Sequence, residues 1–403
     1  MSEWKEYKFS DFADINPKVP TQAGVEYSFI EMPDLEAGYK FVGPSRKREA
    51  KGLTKFQNGD TLFAKITPCL ENGKICQARN LENNIGVGST EFIIFRGKEN
   101  ISDTEFIHYL LKFTEVKDYA IKNMSGSAGQ QRVPLEAFDN LLIPLPPLPE
   151  QQSIAAILSS LDNKIDLLRR QNQTLEQLAQ TIFKQWFIHY KYPGATGEME
   201  ETELGDVPKG WRTGKFIDVI NLLSGGTPKT DIEEFWNGNI SWISGKDVTA
   251  NHGSFIMSTE KKITQAGINN SATKLLPRLT TIITARGTVG SYCILPEPMC
   301  ISQSNYGIKS KYNKADFFTY LLTEYVIDFL KAKAYGSVFD TITTSTFEDT
   351  DIIIPLSEII TEFEISISPL FLKKLNNSKE IQTLSQLRDS LLPRLMSGRL
   401  RAG

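Results

Sequence analysis

Pro33-Asp34 followed by Glu49-Ala-Lys51 is the spacing in this chain that comes nearest to a reaction centre. Two acids could hold a divalent cation while a lysine supports charge developing on a phosphate, as in a metal-dependent nuclease. Asp247 and Glu260-Lys-Lys262 stand at nearly matching places further along. The pattern is short and permissive, and charged residues on a solvated or nucleic-acid-facing surface account for it equally well. Other reactive signatures are missing. The sequence has no Gly-x4-Gly-Lys-Ser/Thr phosphate loop, no Gly-x-Gly-x-x-Gly after a strand, and no Asn/Asp-Pro-Pro-aromatic run of the kind amino-methyltransferases use. The 3 histidines, His108, His189 and His252, lie in dissimilar contexts, with His108 in a helical pattern that favours packing. The 4 cysteines, Cys69, Cys76, Cys293 and Cys300, lack the close Cys-x-x-Cys spacing of a zinc site, so buried free thiols are expected. No catalytic residue and no metal ligand is assigned.

What remains is local positive charge among aromatics and small polar groups. Arg46, Lys47, Arg48, Lys51, Lys55 and Lys65 crowd one stretch, against Glu49 and Asp60. Lys246, Lys261, Lys262, Lys274, Arg278 and Arg286 form a second set. Such clusters can neutralise phosphates, although a solvated charged face looks the same in sequence. Ser125-Gly-Ser-Ala-Gly-Gln-Gln-Arg132 and Gln303-Ser-Asn-Tyr306 have side chains able to meet base edges. The net charge of −3 does not mark a nucleic-acid binder, so local charge must carry that reading.

These residues need elements to position them, and the chain supplies the elements twice. Trp4-Lys-Glu-Tyr-Lys-Phe-Ser-Asp11 matches Trp211-Arg-Thr-Gly-Lys-Phe-Ile-Asp218. Phe106-Ile-His-Tyr-Leu-Leu111 matches Phe317-Phe-Thr-Tyr-Leu-Leu322, and Leu141-Leu-Ile-Pro-Leu-Pro146 matches Ile352-Ile-Ile-Pro-Leu-Ser357. Each copy ends in an apolar seam with alternating four- and three-residue steps. The first runs Leu158, Leu161, Ile165, Leu168, Asn172, Leu175, Ala179, Ile182 and Trp186. The second runs Phe363, Ile367, Leu370, Lys374, Asn377, Ile381, Leu384, Arg388, Leu391 and Leu395. That spacing keeps one stripe facing a partner helix, so two long helices are expected to pair antiparallel as an internal coiled coil. Asn172, Lys374, Asn377 and Arg388 interrupt the seam, either as wet imperfections or as polar layers that fix register. Two equivalent halves would be related by a pseudo-two-fold axis, with the helices as a spacer of about 50 Å at ~1.5 Å per residue.

The expected fold is therefore α+β, with two mixed, β-rich domains and two long helices. The first domain covers 1–147, a central helix 148–191, a polar linker 192–206, the second domain 207–358 and a distal helix 359–403. Strands are expected over Gly59–Lys65, Thr90–Phe95 and Thr280–Ala285, and helices over 103–122 and 314–334. The loop after each of those helices is rich in small residues, Ser125–Arg132 and its copy 335–340. The prolines of Ile143-Pro-Leu-Pro-Pro-Leu-Pro149 should form a stiff elbow, and Pro369 and Pro393 should kink or break the distal helix. No apolar run reaches membrane-span length, and Met1-Ser-Glu-Trp-Lys-Glu is not a signal peptide, so a cytoplasmic location is expected.

Taken in order, several motifs resemble the specificity subunit of type I restriction–modification systems. They are Ile143-Pro-Leu-Pro-Pro-Leu-Pro-Glu-Gln-Gln152, Gln173–Phe187, Glu203-Leu-Gly-Asp-Val-Pro-Lys-Gly-Trp211, Gly225-Gly-Thr-Pro228 with Trp242-Ile-Ser-Gly-Lys-Asp247, and Leu391-Leu-Pro-Arg-Leu-Met-Ser-Gly398. The second junction, Leu356-Ser-Glu-Ile-Ile360, departs from the first by lacking its proline-rich elbow. The resemblance implies a non-catalytic subunit in which each target-recognition domain reads one half of a split DNA sequence. It implies that the helices set the spacer and dock two modification subunits that use S-adenosylmethionine, and that restriction subunits using ATP and Mg can join. The subunit itself would bind no cofactor. DNA contact is expected at Arg46, Lys47, Lys51, Lys65, Gln130, Arg132, Thr227, Lys246, Arg286, Gln303 and Asn305. Helix pairing is expected at Leu158, Leu161, Ile165, Asn172, Leu175, Leu370, Ile381, Leu384 and Leu391. The alternatives are an autonomous metal-dependent nuclease and a purely structural coiled-coil adaptor.

Overall fold

The computed structural model describes residues 4–127, 129–335 and 341–402. It forms two compact units, 1–168 with 381–403 and 169–380, so each unit holds one globular part and segments of both long helices.

In the first unit a five-stranded sheet runs in the order Ala13–Ile15, Phe92–Gly97, Thr61–Ala64, Ile75–Ala78, Phe41–Val42. A second sheet runs Arg46–Glu49, Glu26–Ile30, Ile85–Gly88, Thr54–Gln57, with a parallel central pair that aligns Phe29 with Val87. The second unit repeats this plan. One sheet runs Ile220–Ser224, Asn305–Ser310, Thr281–Thr284, Tyr292–Ile294. The other runs Lys261–Ile263, Trp236–Ile243, Met299–Ile301, Leu275–Leu276, again with a parallel central pair. The shared exception to antiparallel order shows that the duplication extends to topology. The central strands are fully buried runs such as Thr61-Leu-Phe-Ala64 and Thr281-Ile-Ile-Thr284, so they lack the alternation of a half-solvated strand.

The central helix spans Leu148–Phe187 and the distal helix Ser357–Met396. They are antiparallel in both units. In the second, Asn377 Nδ2 donates to Asn172 Oδ1 at 2.9 Å, Lys374 pairs with Glu176, and the Phe183 and Phe363 rings lie 5.9 Å apart. In the first, Arg388 pairs with Asp162 and Arg401 with Glu150. Of the predicted seam, Leu158, Ile165, Lys374, Asn377 and Arg388 are buried, while Leu161, Asn172, Leu175, Leu370, Ile381, Leu384 and Leu391 are half-buried. The phase drifts because 3.6 residues per turn outruns a strict 3.5 repeat, so Asp162 and Phe371 take the buried places beside Leu161 and Leu370.

Several expectations are corrected. Neither Pro369 nor Pro393 ends the distal helix. Both face solvent, and the carbonyl that Pro369 strips of its donor belongs to Ile365, which is 70% exposed and open to water. The helix expected over 103–122 is two, Thr104–Lys112 and Thr114–Lys122, broken where Phe113 turns extended and buries its ring. Its counterpart, Asp316–Tyr335, is continuous. The linker is partly ordered: Met199–Thr202 and Gly205–Pro208 form a hairpin that buries Val207. Pro144 lies within the short strand Leu142–Leu145. The stiff elbow is locked by buried Gln151, whose amide donates to Pro146 O and Ile101 O and accepts from the Asp103 N–H. In the second unit the corresponding helix start is held by a different residue, Glu364, which accepts from Phe317 N–H and Phe318 N–H. The copy of the small-residue loop falls largely at 336–340, outside the described residues.

Candidate nucleic-acid interface

In each unit the loops at one end of the strands are clamped by the same pair of backbone hydrogen bonds. In the first, Lys65 N–H donates to Glu91 O at 3.0 Å and Val133 N–H to Lys65 O at 2.8 Å. In the second, Ala285 N–H donates to Ser304 O at 2.8 Å and Ile342 N–H to Ala285 O at 3.0 Å. Strand registers make these positions equivalent: Ala64 pairs with Phe92 as Thr284 pairs with Asn305. One backbone frame therefore presents two different sets of side chains. Lys65, Thr90, Glu91 and Arg132 in the first unit stand where Ala285, Gln303, Ser304 and Thr341 stand in the second.

The first frame is basic. Three open grooves share lining residues. One of about 430 Å³ contains Lys51, Leu53 and Lys55. The next, about 700 Å³, contains Leu53, Lys55, Lys18, Lys65 and Phe92. The third, about 270 Å³, contains Lys65, Phe92, Ser125 and Arg132. Lys51, Lys65 and Arg132 are thus brought to one trough, together with Lys18 and Lys55. Lys18 was not picked out from sequence; the Asn16-Pro-Lys-Val-Pro20 setting that turns it toward the groove was the available signal. Gln130 is exposed in the loop beside Arg132. Arg132 is anchored by Glu91, its Nε and Nη2 donating at 2.9–3.1 Å, and that carboxylate raises its pKa.

Arg46 and Lys47 lie on the exposed edge strand Arg46–Glu49. Alternation puts Arg46 and Arg48 on one face, with both guanidinium groups about 5 Å from the Phe29 ring centre. Lys47 points the other way and pairs with Glu82 at 2.5 Å, which raises its pKa by hydrogen bond and charge. Arg46 also pairs with Glu31 at 2.9 Å. The second unit keeps the device, with Lys261 on its edge strand 5.3 Å from the Trp236 ring centre.

The second frame is more polar than basic. Gly225 and Gly226 let the chain lie against the end of the strand Met299–Ile301. A Cβ on Gly225 would meet Ser302 O at 2.2 Å, and one on Gly226 would meet Thr273 N at 2.3 Å. That close approach sets half-exposed Thr227 beside the turn carrying exposed Gln303. Exposed Arg286 follows the clamp residue Ala285, and exposed Lys246 pairs with Glu260 at 3.1 Å. Asn305 corrects the expectation: it is 1% exposed, and its amide donates to Ile243 O and Ser302 Oγ. It builds the turn and leaves presentation to Gln303.

The aspartates of the nuclease-like pattern are structural caps, while Glu49 is exposed on the edge strand and Glu260 pairs with Lys246. Asp34 accepts from Glu31 N–H at 2.7 Å and from Ser45 Oγ. Asp247 accepts from Ser244 N–H at 2.8 Å, Ser244 Oγ and Glu260 N–H. Their recurrence follows from the repeated fold. His108 is buried and held neutral, its pKa pushed well down by desolvation and nearby cations. Burial pushes the Cys76 and Cys300 thiols up to about 11, so neither is a nucleophile at neutral pH.

A duplicated frame with interchangeable surface chemistry describes a recognition module present twice. The family model for the type I restriction modification DNA specificity domain matches residues 1–177 and 208–386, and the chain belongs to this family. It is 27% identical to the type I restriction enzyme HindI specificity subunit of Haemophilus influenzae, over 99% of this chain and 100% of that one. It is 28% identical to the MjaIX specificity subunit of Methanocaldococcus jannaschii, over 98% and 88%. A crystal structure of the type I restriction–modification S subunit from M. genitalium shares the fold, with a TM-score of 0.60 at 16% identity, covering 97% of this chain and 96% of that one. The chain is thus a DNA-recognition subunit, not a catalytic one. Among the described residues no helix is long and apolar enough to cross a membrane.

Proposed function

We propose that each unit reads one half of a bipartite DNA site through its strand-end loops, and that the two halves differ because the side chains on the frame differ. The observation that carries this is the repeated backbone clamp at Lys65 and Ala285 beneath different side chains. The basic trough of the first unit engages phosphates, while Arg132 and Gln130 reach base edges. In the second unit Gln303 and Thr227 read bases beside Arg286 and Lys246. The helix pair sets the unread spacer, and its outward faces dock two modification subunits. S-adenosylmethionine, and ATP with Mg where restriction subunits join, belong to those partners.

Methylation sequencing of cells expressing the chain with its modification subunit tests this directly. The expected motif has two unlike half-sites and a fixed spacer, and lengthening both helices by one heptad changes the spacer alone. A continuous motif, or a heptad insertion that alters the half-sites, would contradict it.

A further inference from the structure

The internal repeat poses a pairing problem. Two helices that descend from one should also pair with themselves, central with central or distal with distal, in a second copy of the chain. A buried charged layer in each unit bears on this. In the first, Asp162 on the central helix is 2% exposed and accepts from Tyr109 Oη at 2.8 Å and from Arg388 Nη1 of the distal helix at 2.6 Å. In the second, Glu176 on the central helix accepts from Tyr320 Oη at 3.1 Å and from Lys374 Nζ of the distal helix, which also donates to Gly253 O at 2.8 Å. Tyr109 and Tyr320 are repeat-equivalent. The charges are not: both acids lie on the central helix and both bases on the distal one.

The 209-residue offset shows what self-pairing would do. Arg388 aligns with Ala179 and Lys374 with Ile165, so two central helices in this register set Asp162 against Ala179 and Glu176 against Ile165. Ala179 and Ile165 are each 1% exposed, so the second helix would offer each acid apolar surface in place of a cation, and Asp162 would keep only the nearby charge of Lys112. Two distal helices would set Arg388 against Phe371 and Lys374 against Ser385, leaving Arg388 only its helix neighbour Asp389 and Lys374 only the charge of Glu324. Removing one partner of a buried ion pair leaves an uncompensated charge, which is strongly unfavourable. Only the central–distal combination satisfies both layers.

We infer that these two layers make helix pairing heterotypic, so that a central helix accepts a distal helix and rejects a second central one. This is selection against wrong partners rather than added stability. The partner excluded is a second copy paired like with like.

The test uses the full chain with a protease site in the exposed Gly194–Gly197 segment, folded intact and then cut. One half of the preparation carries a heavy-isotope label, so label exchange reports that pairs have opened. Native mass spectrometry then counts the pairs. For the unaltered sequence, like pairs are expected below about one in a hundred, against about half for random association. Neutralising the layers with Asp162→Asn, Glu176→Gln, Lys374→Met and Arg388→Met should move the count toward random. A second variant keeps the question answerable should that one fold poorly. Ile165→Lys with Ala179→Arg gives each acid a base from a second central helix and should produce central–central pairs. In the uncut chain, Arg388→Met alone should have a lower urea midpoint than Asp162→Asn with Arg388→Met. Random pairing by the unaltered sequence, full selectivity in both altered chains, or equal midpoints for the single and double variants would overturn the inference.

Discussion

The loop frames of the two units share a backbone and little else. Where the first has Lys65, Glu91 and Arg132, the second has Ala285, Ser304 and Thr341, yet the hydrogen bonds beneath are the same. The difference teaches that the fold is indifferent to the frame's outward side chains, which are therefore available to set which DNA sequence is bound. The helix starts show the same freedom at a buried position. Gln151 and Glu364 do one job, holding the start of an adjacent helix, with a neutral amide in one unit and a carboxylate in the other.

The largest expected effect comes from the charged layers. Truncating Arg388 or Lys374 to alanine should cost about 3–5 kcal/mol by urea unfolding, because a buried carboxylate loses its cation. If one loss is under ~1 kcal/mol, that unit's layer is wet and the comparison between layers fails. Next is the pH response. Burial pushes the Glu364 carboxyl up to about 7, with the charge of Asp316 contributing and the backbone N–H groups of Phe318, Phe317 and Asp316 opposing. A raised folded pKa means the native state binds the proton more tightly than the unfolded chain. That contribution is fully present below about pH 4.5 and is lost as pH rises through 7, by up to ~3 kcal/mol. Glu364→Gln should flatten the slope between pH 4.5 and 7.5, while Gln151 gives the first unit no such response. A slope that survives the substitution assigns the titration elsewhere.

Smaller effects should separate the two recognition surfaces. Lys51→Ala and Lys65→Ala should each lower the salt slope of DNA binding by about one and weaken binding to all sequences alike. Gln303→Ala should leave the slope unchanged and cost ~1–3 kcal/mol of discrimination at one half-site. Equal slopes for all three would dissolve the distinction between a basic and a reading surface. Smallest of all, Phe29→Leu should reduce affinity by about 0.5–1 kcal/mol by releasing Arg46 and Arg48 from the ring.

Much of this organisation was legible in the sequence because repetition is a pattern and patterns survive without coordinates. The duplicated seam and the strand runs read correctly from residue type and period. What escaped depended on contacts distant in sequence. Asp162 carries no signal of its own beside Leu161, and only the fold brings Tyr109 and Arg388 onto it. Asn305 looked like a base reader until its amide proved to be tied to Ile243. Lys18 sits far from the other trough lysines in sequence, and only strand pairing brings it to Lys55 and Lys65. Pro369 and Pro393 leave the distal helix unbroken for a local reason, since their cost depends on whether the freed carbonyl can meet water.

The most direct test of the two-frame account is an exchange of side chains on one frame alone. Lys65→Ala, Thr90→Gln and Arg132→Thr carry three positions of the second frame onto the first, and methylation sequencing reads the outcome. The expected result is a changed or degenerate first half-site, with the second half-site and the spacer unaltered. A change in both halves, or in neither, would contradict it.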